Sequence, residues 1–249
     1  MRFIILHKKG YGEKLRDEIA AFLERNGADW TERIEKADFA LSIGGDGTLM
    51  RDHYKLKCPV LGINPANSIG YYIRADKHDY KERLLAMMNG KEGRDYYVYE
   101  LMRLSAKLNG KKMEALALND ILVSPVYVRR MLETRLSLDS GTGVERNSGI
   151  LVYTPTGSHA FAHSAGASKM KYDCDRMGVT ALAPYSGTLK QREITVAKGD
   201  VKIECLSPEG EVCIDGSETN LRKIGRGDVV EVSKSSSPLK LVGFRKRFD

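Results

Sequence analysis

Ser42-Ile43-Gly44-Gly45-Asp46-Gly47-Thr48 follows the short apolar run Phe39-Ala40-Leu41 and leads into a segment of helical character over 48–56. Three glycines around one aspartate leave a turn without side-chain bulk, so backbone N–H groups can approach a phosphate or a sugar closely. The side chain left standing is Asp46. A carboxylate at the C-terminal end of a parallel strand lies where open α/β sheets bind ligands, and it can take a proton from an attacking hydroxyl or help to hold a metal. The competing reading is a tight strand-to-helix turn in which Asp46 only caps the helix.

Working outward, Arg2 to His7 reads as a buried strand, and Leu15, Ile19, Phe22 and Leu23 recur at helical spacing before Asn26-Gly27 stops the helix. Phe39 to Ile43 is a second strand and Pro59 to Ile63 a third, ending at Asn64-Pro65. A helix over about 77–88 follows, with Tyr80, Leu84, Leu85 and Met88 on one side. Alternation of strand and helix predicts a parallel sheet with right-handed crossovers.

Near Tyr96 the period changes to two. Leu104, Ala106 and Leu108 alternate with polar residues up to Asn109-Gly110, a strong hairpin signal, and Ala115 to Val123 reads as the return strand. Further short strands are expected over 132–138, 193–197, 201–206, 211–214 and 229–232, each bounded by a turn, with a serine-rich linker at 233–238 and a last strand over 239–248. The predicted fold is an α/β N-terminal domain with a mostly parallel sheet, residues 1–94 rejoined by 236–249, plus an all-β, sandwich-like C-terminal domain over 95–235.

With 249 residues and 42% hydrophobic composition, the chain can bury a sizeable core. Its net charge of +7 suits anionic ligands such as nucleotides, and the absence of a basic arm or of a nucleic-acid-binding motif argues against nucleic acid as partner. Cys58, Cys174, Cys205 and Cys213 are widely spaced, so no zinc site or disulfide framework is indicated and reduced thiols are expected. No apolar stretch has the length of a membrane span, and the opening run lacks signal-peptide architecture; a cytoplasmic protein with no membrane partner is expected.

A second informative stretch, Thr154-Pro155-Thr156-Gly157-Ser158-His159-Ala160-Phe161-Ala162-His163-Ser164, follows the strand Ile150 to Tyr153. Small and hydroxylated residues can close on a polar ligand, and Ser158 is placed to cap a short helix over 160–165. The bland reading is a Pro/Gly turn plus a capped helix. His159 and His163 stand one turn apart, without the further partner a metal site requires. Asn119-Asp120 ends an apolar run, where such side chains can meet ribose hydroxyls or simply form a turn. No hydrolase nucleophile elbow, phosphate-loop lysine motif or dinucleotide glycine fingerprint is present.

Taken in order, Gly44-Gly45-Asp46-Gly47-Thr48, Gly62-Ile63-Asn64, Asn119-Asp120 and Thr154-Pro155-Thr156-Gly157-Ser158 resemble the NAD kinase family over most of the chain. The resemblance implies transfer of a phosphoryl group from ATP or polyphosphate to the adenosine-ribose 2′-hydroxyl of NAD, giving NADP, with magnesium accompanying the donor. It implies that Asp46 is the catalytic base and that Gly45 and Gly47 admit the donor's phosphates. Asn64, Asn119, Asp120, Arg130, Arg146, Ser148, Ser158, His159, Ala160, Phe161 and Ser164 would bind the nucleotides, and a homodimer or homotetramer would form. Family members usually carry Asn-Glu at Asn119-Asp120, Thr-Ala-Tyr at His159-Ala160-Phe161 and Asp-Gly at Ser148-Gly149, often have a Gln after the Asp that aligns with Asp215, where Ser217 or a neighbour stands, and have a loop one residue shorter over 64–72. These departures spare the catalytic turn and fall on the dinucleotide pocket. The alternative they leave open is a kinase of the same superfamily acting on another nucleoside or on a lipid hydroxyl.

Overall fold

The computed structural model describes residues 1–248 apart from Lys9, Tyr11, 67–69, Val128 and 191–192. The middle of the 64–72 segment, expected to be a residue longer than its relatives, therefore lies outside the described residues. Contacts divide the chain into two compact units, Met1–Leu101 with Leu239–Asp249, and Met102–Pro238.

The first unit contains strands β1 (Arg2–His7), β2 (Asp29–Thr31), β3 (Phe39–Ile43), β4 (Val60–Asn64), β5 (Ile73–Asp76) and β6 (Tyr97–Leu101), and helices α1 (Glu13–Arg25), α2 (Asp46–Asp52) and α3 (Tyr80–Asn89). β1, β3 and β4 pair in parallel, as the intervening helices require. Buried side chains line both faces of β4 and nearly all of β3, the pattern of a covered parallel sheet. Leu15, Ile19 and Leu23 of α1 and Tyr80, Leu84 and Met87 of α3 join Phe3, Leu41, Ile43, Leu61 and Ile63 in one core. The α3 stripe differs from the expected one: Leu85 is exposed and Met87 is buried in its place, because the helix runs from Tyr80 and its inward face follows Tyr80, Leu84, Met87. α2 likewise starts two residues before the expected 48 and gives way to a 3-10 turn at His53–Lys55.

The last strand of the chain, Leu239–Gly243, pairs antiparallel with β6 and touches β4 in parallel at Leu241↔Val60. β6 therefore belongs to the first unit, whereas the sequence boundary at 94 placed it in the second. Residues 244–248, expected to extend that strand, have no regular structure.

The second unit is antiparallel. Its strands are β7 (Leu104–Leu108), β8 (Lys111–Ala117), β9 (Asp120–Ser124), β10 (Leu132–Leu138), β11 (Gly141–Asn147), β12 (Gly149–Tyr153), β13 (Met177–Leu182), β14 (Ile194–Val196), β15 (Val201–Cys205), β16 (Glu209–Ile214), β17 (Arg222–Gly225) and β18 (Val229–Lys234); Leu239–Gly243 is β19. They form two six-stranded sheets, β11-β10-β15-β18-β7-β8 and β14-β13-β12-β9-β16-β17. Asn109-Gly110 closes the β7–β8 hairpin with both residues at positive φ, the two-residue turn that matches strand twist. The single return strand expected over 115–123 is instead two: β8 ends at Ala117, the chain bends at Leu118-Asn119, and β9 enters the other sheet. That bend is the part of the second unit on which the candidate site depends. No helix among the described residues is long and apolar enough to cross a membrane.

Candidate active site

At the end of β3 the chain turns at Gly44, whose φ is +150° and whose missing Cβ would lie 2.2 Å from the Thr48 hydroxyl oxygen. Only glycine fits that approach. Asp46 then opens α2, and its carboxylate does not cap that helix. Oδ2 accepts the Tyr71 N–H at 2.7 Å and Oδ1 accepts the Tyr72 N–H at 2.9 Å, two consecutive backbone donors from the turn before β5. Gly70 completes the clamp: a Cβ there would stand 2.7 Å from Asp46 Oδ1. Asp46 is half-buried and Gly47 exposed, so a carboxylate of fixed orientation borders an open glycine backbone. Asn64, buried at the end of β4, spends its side-chain oxygen on the Ala66 N–H at 2.9 Å.

In the second unit the Leu118-Asn119 bend is held from two sides. The Asp215 carboxylate accepts the N–H groups of Leu118 at 2.8 Å, Asn119 at 2.7 Å and Asp120 at 3.0 Å. Asp215 itself sits at φ +52° in an Asp-Gly turn after β16, a conformation Asp tolerates. From the other side, the Thr154 N–H donates to Asn119 O at 2.9 Å, and the hydroxyls of Thr154 and Thr156 donate to Leu118 O at 2.6 and 3.2 Å. Gly157 packs directly on the bend, where a Cβ would be 2.0 Å from Asn119 O.

Asp120 leads β9 opposite Tyr153 and is 6% exposed. Burial, reinforced by the neighbouring Asp215 charge, pushes its carboxyl up to about 7. Near neutral pH it is therefore both a donor and an acceptor.

The structure thus brings Asn119 and Asp120 together with residues 154–158. Ser158, however, is fully buried; its hydroxyl donates to Pro155 O at 2.6 Å and accepts the Met170 N–H at 2.8 Å, so it does not cap the following helix. The short helix Phe161–Ser164 begins after Ala160 without a side-chain cap. His159 Nε2 is 2.9 Å from Met170 O and His163 Nδ1 is 3.3 Å from Ala167 O. Phe161 is 47% exposed, Ser164 is exposed and Ala160 half-buried, all on the surface beside the bend's support. Ser148 precedes β12 and donates its N–H to Leu182 O at 2.8 Å. Arg130 and Arg146 stand apart from this group: Arg130 pairs with Glu209, and Arg146, on β11 of the other sheet, pairs across the strands with Glu133. Among the described residues no three His, Cys, Asp or Glu side chains converge as a metal site.

Three groups were given no role from the sequence. Asp215 aligns with an Asp the resemblance implies and lies in an Asp-Gly turn, whereas Tyr71 and Tyr72 act through backbone N–H groups that leave no mark in the sequence.

Residues 118–244 match the family described as ATP-NAD kinase C-terminal domain. A NAD kinase of Thermoplasma volcanium is 31% identical over 240 residues, 94% of this chain and 84% of that protein. A NAD kinase of Treponema denticola is 30% identical over 258 residues, covering 95% and 88%. The fold is shared with an NAD kinase from Archaeoglobus fulgidus solved in complex with ATP, at a TM-score of 0.76 and 24% identity over 99% of this chain and 94% of that one. It is shared also with yeast NADH kinase complexed with NADH, at a TM-score of 0.87 and 16% identity over 100% and 84%. On the family match and on relatives of this identity and coverage, the chain belongs to the NAD kinase family.

Proposed function

We propose that this chain transfers a phosphoryl group from ATP or polyphosphate to the adenosine-ribose 2′-hydroxyl of NAD, giving NADP, with Asp46 as general base. The observation that carries the proposal is the Asp46 carboxylate, aimed by two backbone N–H groups beside an open glycine turn in a member of this family. As the ribose oxygen bonds to the terminal phosphorus, the bond from phosphorus to the bridging oxygen breaks, the shortened donor leaves, and the hydroxyl proton passes to Asp46. Tyr71 and Tyr72 each occupy one lone pair of the carboxylate, and the remaining lone pairs receive the proton. Gly45 and Gly47 let the donor's phosphates approach the backbone.

In the second unit, Asn119, Asp120, Ser148, His159, Ala160, Phe161 and Ser164 are proposed to contact the dinucleotide, with Ser158 and Asp215 holding the backbone that presents them. Arg130 and Arg146 would reach a phosphate only by leaving Glu209 and Glu133. Magnesium fits as an ion that arrives with the donor, since such ions take most of their oxygens from phosphate and water, and Asp46 is the carboxylate at the turn. Bound there, it would neutralise phosphate charge. A two-domain division with a β-sandwich in the second half, a homodimeric or homotetrameric assembly and a cytoplasmic location belong to the same proposal and rest on the resemblance.

Purified protein incubated with magnesium, NAD or NADH, and ATP or polyphosphate should form NADP or NADPH, read with a coupled dehydrogenase. Asp46→Asn should lower turnover by about a hundredfold or more while NAD affinity stays within a few fold. No product with any donor would overturn the reading. Product with another nucleoside or a lipid acceptor instead would favour the superfamily alternative, which the departures at Asp120, Ser148, His159 and Phe161 motivate.

A further inference from the structure

The aim of Asp46 depends on the Tyr71-Tyr72 peptides, and those peptides are held by residues far along the chain. Arg74 Nη1 donates to Tyr71 O at 2.8 Å and to Ile73 O at 2.9 Å. The Arg74 guanidinium lies over the Phe248 ring, 4.4 Å from its centroid. Phe248 is only 7% exposed and meets Tyr71 at 5.3 Å and 64° and Tyr99 at 5.4 Å and 90°, both edge-to-face. Tyr71 in turn meets Tyr72 at 5.1 Å and 90°. The Tyr99 hydroxyl donates to the carbonyls of Arg245 and Arg247, which ties residues 244–248 down after β19. A cavity of about 560 Å³ borders the same stack, lined among others by Gly70, Arg74, Tyr99 and Phe248.

We propose that Phe248 is a positioning residue for phosphoryl transfer: its ring, wedged between Tyr71, Tyr99 and Arg74, fixes the two peptides whose N–H groups orient the Asp46 carboxylate. Phe248 touches neither substrate nor the reacting atoms, and it acts through Tyr71 and Tyr72. The inference rests on the role of Asp46 proposed above. Without the ring, the stack relaxes toward the cavity and the carboxylate loses its fixed direction, a loss of alignment that costs rate rather than binding.

The test is a double-mutant cycle with Phe248→Ala and Asp46→Asn, with kcat and KM for NAD measured for each variant, and with amide hydrogen exchange followed at Tyr71 and Tyr72. Phe248→Ala is expected to lower kcat by about ten- to a hundredfold with KM for NAD nearly unchanged, and to speed exchange at both amides. Phe248→Trp should restore most of the rate. In the Asp46→Asn background, Phe248→Ala should change the residual turnover by less than about twofold, since the group it positions is already gone. Phe248→Leu, which keeps apolar bulk but no ring edge, serves the same cycle if the alanine variant does not fold. Full kcat in the ring-less variants, or an equal loss in both backgrounds, overturns the inference. Unimpaired turnover in Asp46→Asn alone would instead overturn the role given to Asp46, and amide exchange would still decide whether Phe248 holds the Tyr71-Tyr72 turn.

Discussion

Replacing Asp120 with asparagine should stabilise the protein at alkaline pH and leave it nearly unchanged at acid pH. In the folded chain, burial and then the Asp215 charge raise the Asp120 carboxyl from 3.8 to about 7. An unfolded chain releases that proton near pH 4. Between about pH 4 and pH 7 the folded state therefore binds more protons than the unfolded state, so stability falls as pH rises through this window and levels off above it. The rise from 3.8 to about 7, at about 1.4 kcal/mol per tenfold change in proton affinity, sets the full loss at about 4 kcal/mol. Asparagine resembles the protonated acid in size and cannot ionise. Urea unfolding at pH 5 and pH 8 should show the wild type weakening by up to about 3 kcal/mol from this group, the part of the loss that falls above pH 5, while Asp120→Asn does not. Parallel pH dependence in the two proteins would refute the assignment. The same protonation bears on the proposed dinucleotide contact. An Asp120 that donates its proton to an acceptor on NAD should bind NAD less well above pH 7, whereas the asparagine amide should show no such decline.

Two further perturbations probe the framework around the bend and the base of the second unit. Gly157→Ala places a methyl 2.0 Å from Asn119 O, so the bend must move; a stability loss of about 3 kcal/mol in thermal or urea unfolding, together with a raised KM for NAD, is expected, and unchanged values of both would contradict the packing described. Arg103 is 1% exposed, with burial pushing its guanidinium down to about 10, and it donates to Ser237 O at 2.7 Å, Ser237 Oγ at 2.8 Å and Pro238 O at 3.3 Å. Arg103→Lys keeps the charge but not the planar fork and should lower the urea midpoint by the equivalent of about 2 to 3 kcal/mol at constant m; a wild-type midpoint would show that the fork is not needed.

What the sequence made legible was what local chemistry encodes. The helical recurrence of Leu15, Ile19, Phe22 and Leu23 and the Asn109-Gly110 hairpin each follow from the periodicity or conformational freedom of a few adjacent residues, and both are found, with Phe22 only partly buried. What escaped is contact across long separations. The donors to Asp46 lie 25 and 26 positions away, and those to Asp215 lie 95 to 97 positions away. All five are backbone N–H groups, which every non-proline residue has, so residue identity gives no hint of which carboxylate they serve. Ser158 shows the same limit from the other side: a serine before a short helix has the composition of a cap, yet tertiary packing turned its hydroxyl to Pro155 and Met170.

The two aspartates at the 118–120 bend divide the cost of adjacent carboxylates unequally. Asp215 takes three backbone N–H donors, while the Asp120 carboxylate receives none among the described residues. Backbone donors favour a carboxylate's charged form and burial opposes it, so Asp120, buried without such donors, is the one pushed up to about 7. A glutamate here, which the resemblance implies for family members, would carry its carboxyl one methylene farther from the backbone that Asp215 grips. The shorter aspartate keeps its carboxyl beside that charge and inside the fold. If Asp120 contacts the dinucleotide as proposed, its carboxyl, pushed up to about 7, offers a proton that an ionised glutamate would not. With Asp46 as the proposed base in a turn that resembles the family's, this contact is the physical route by which nucleotide preference would come to differ.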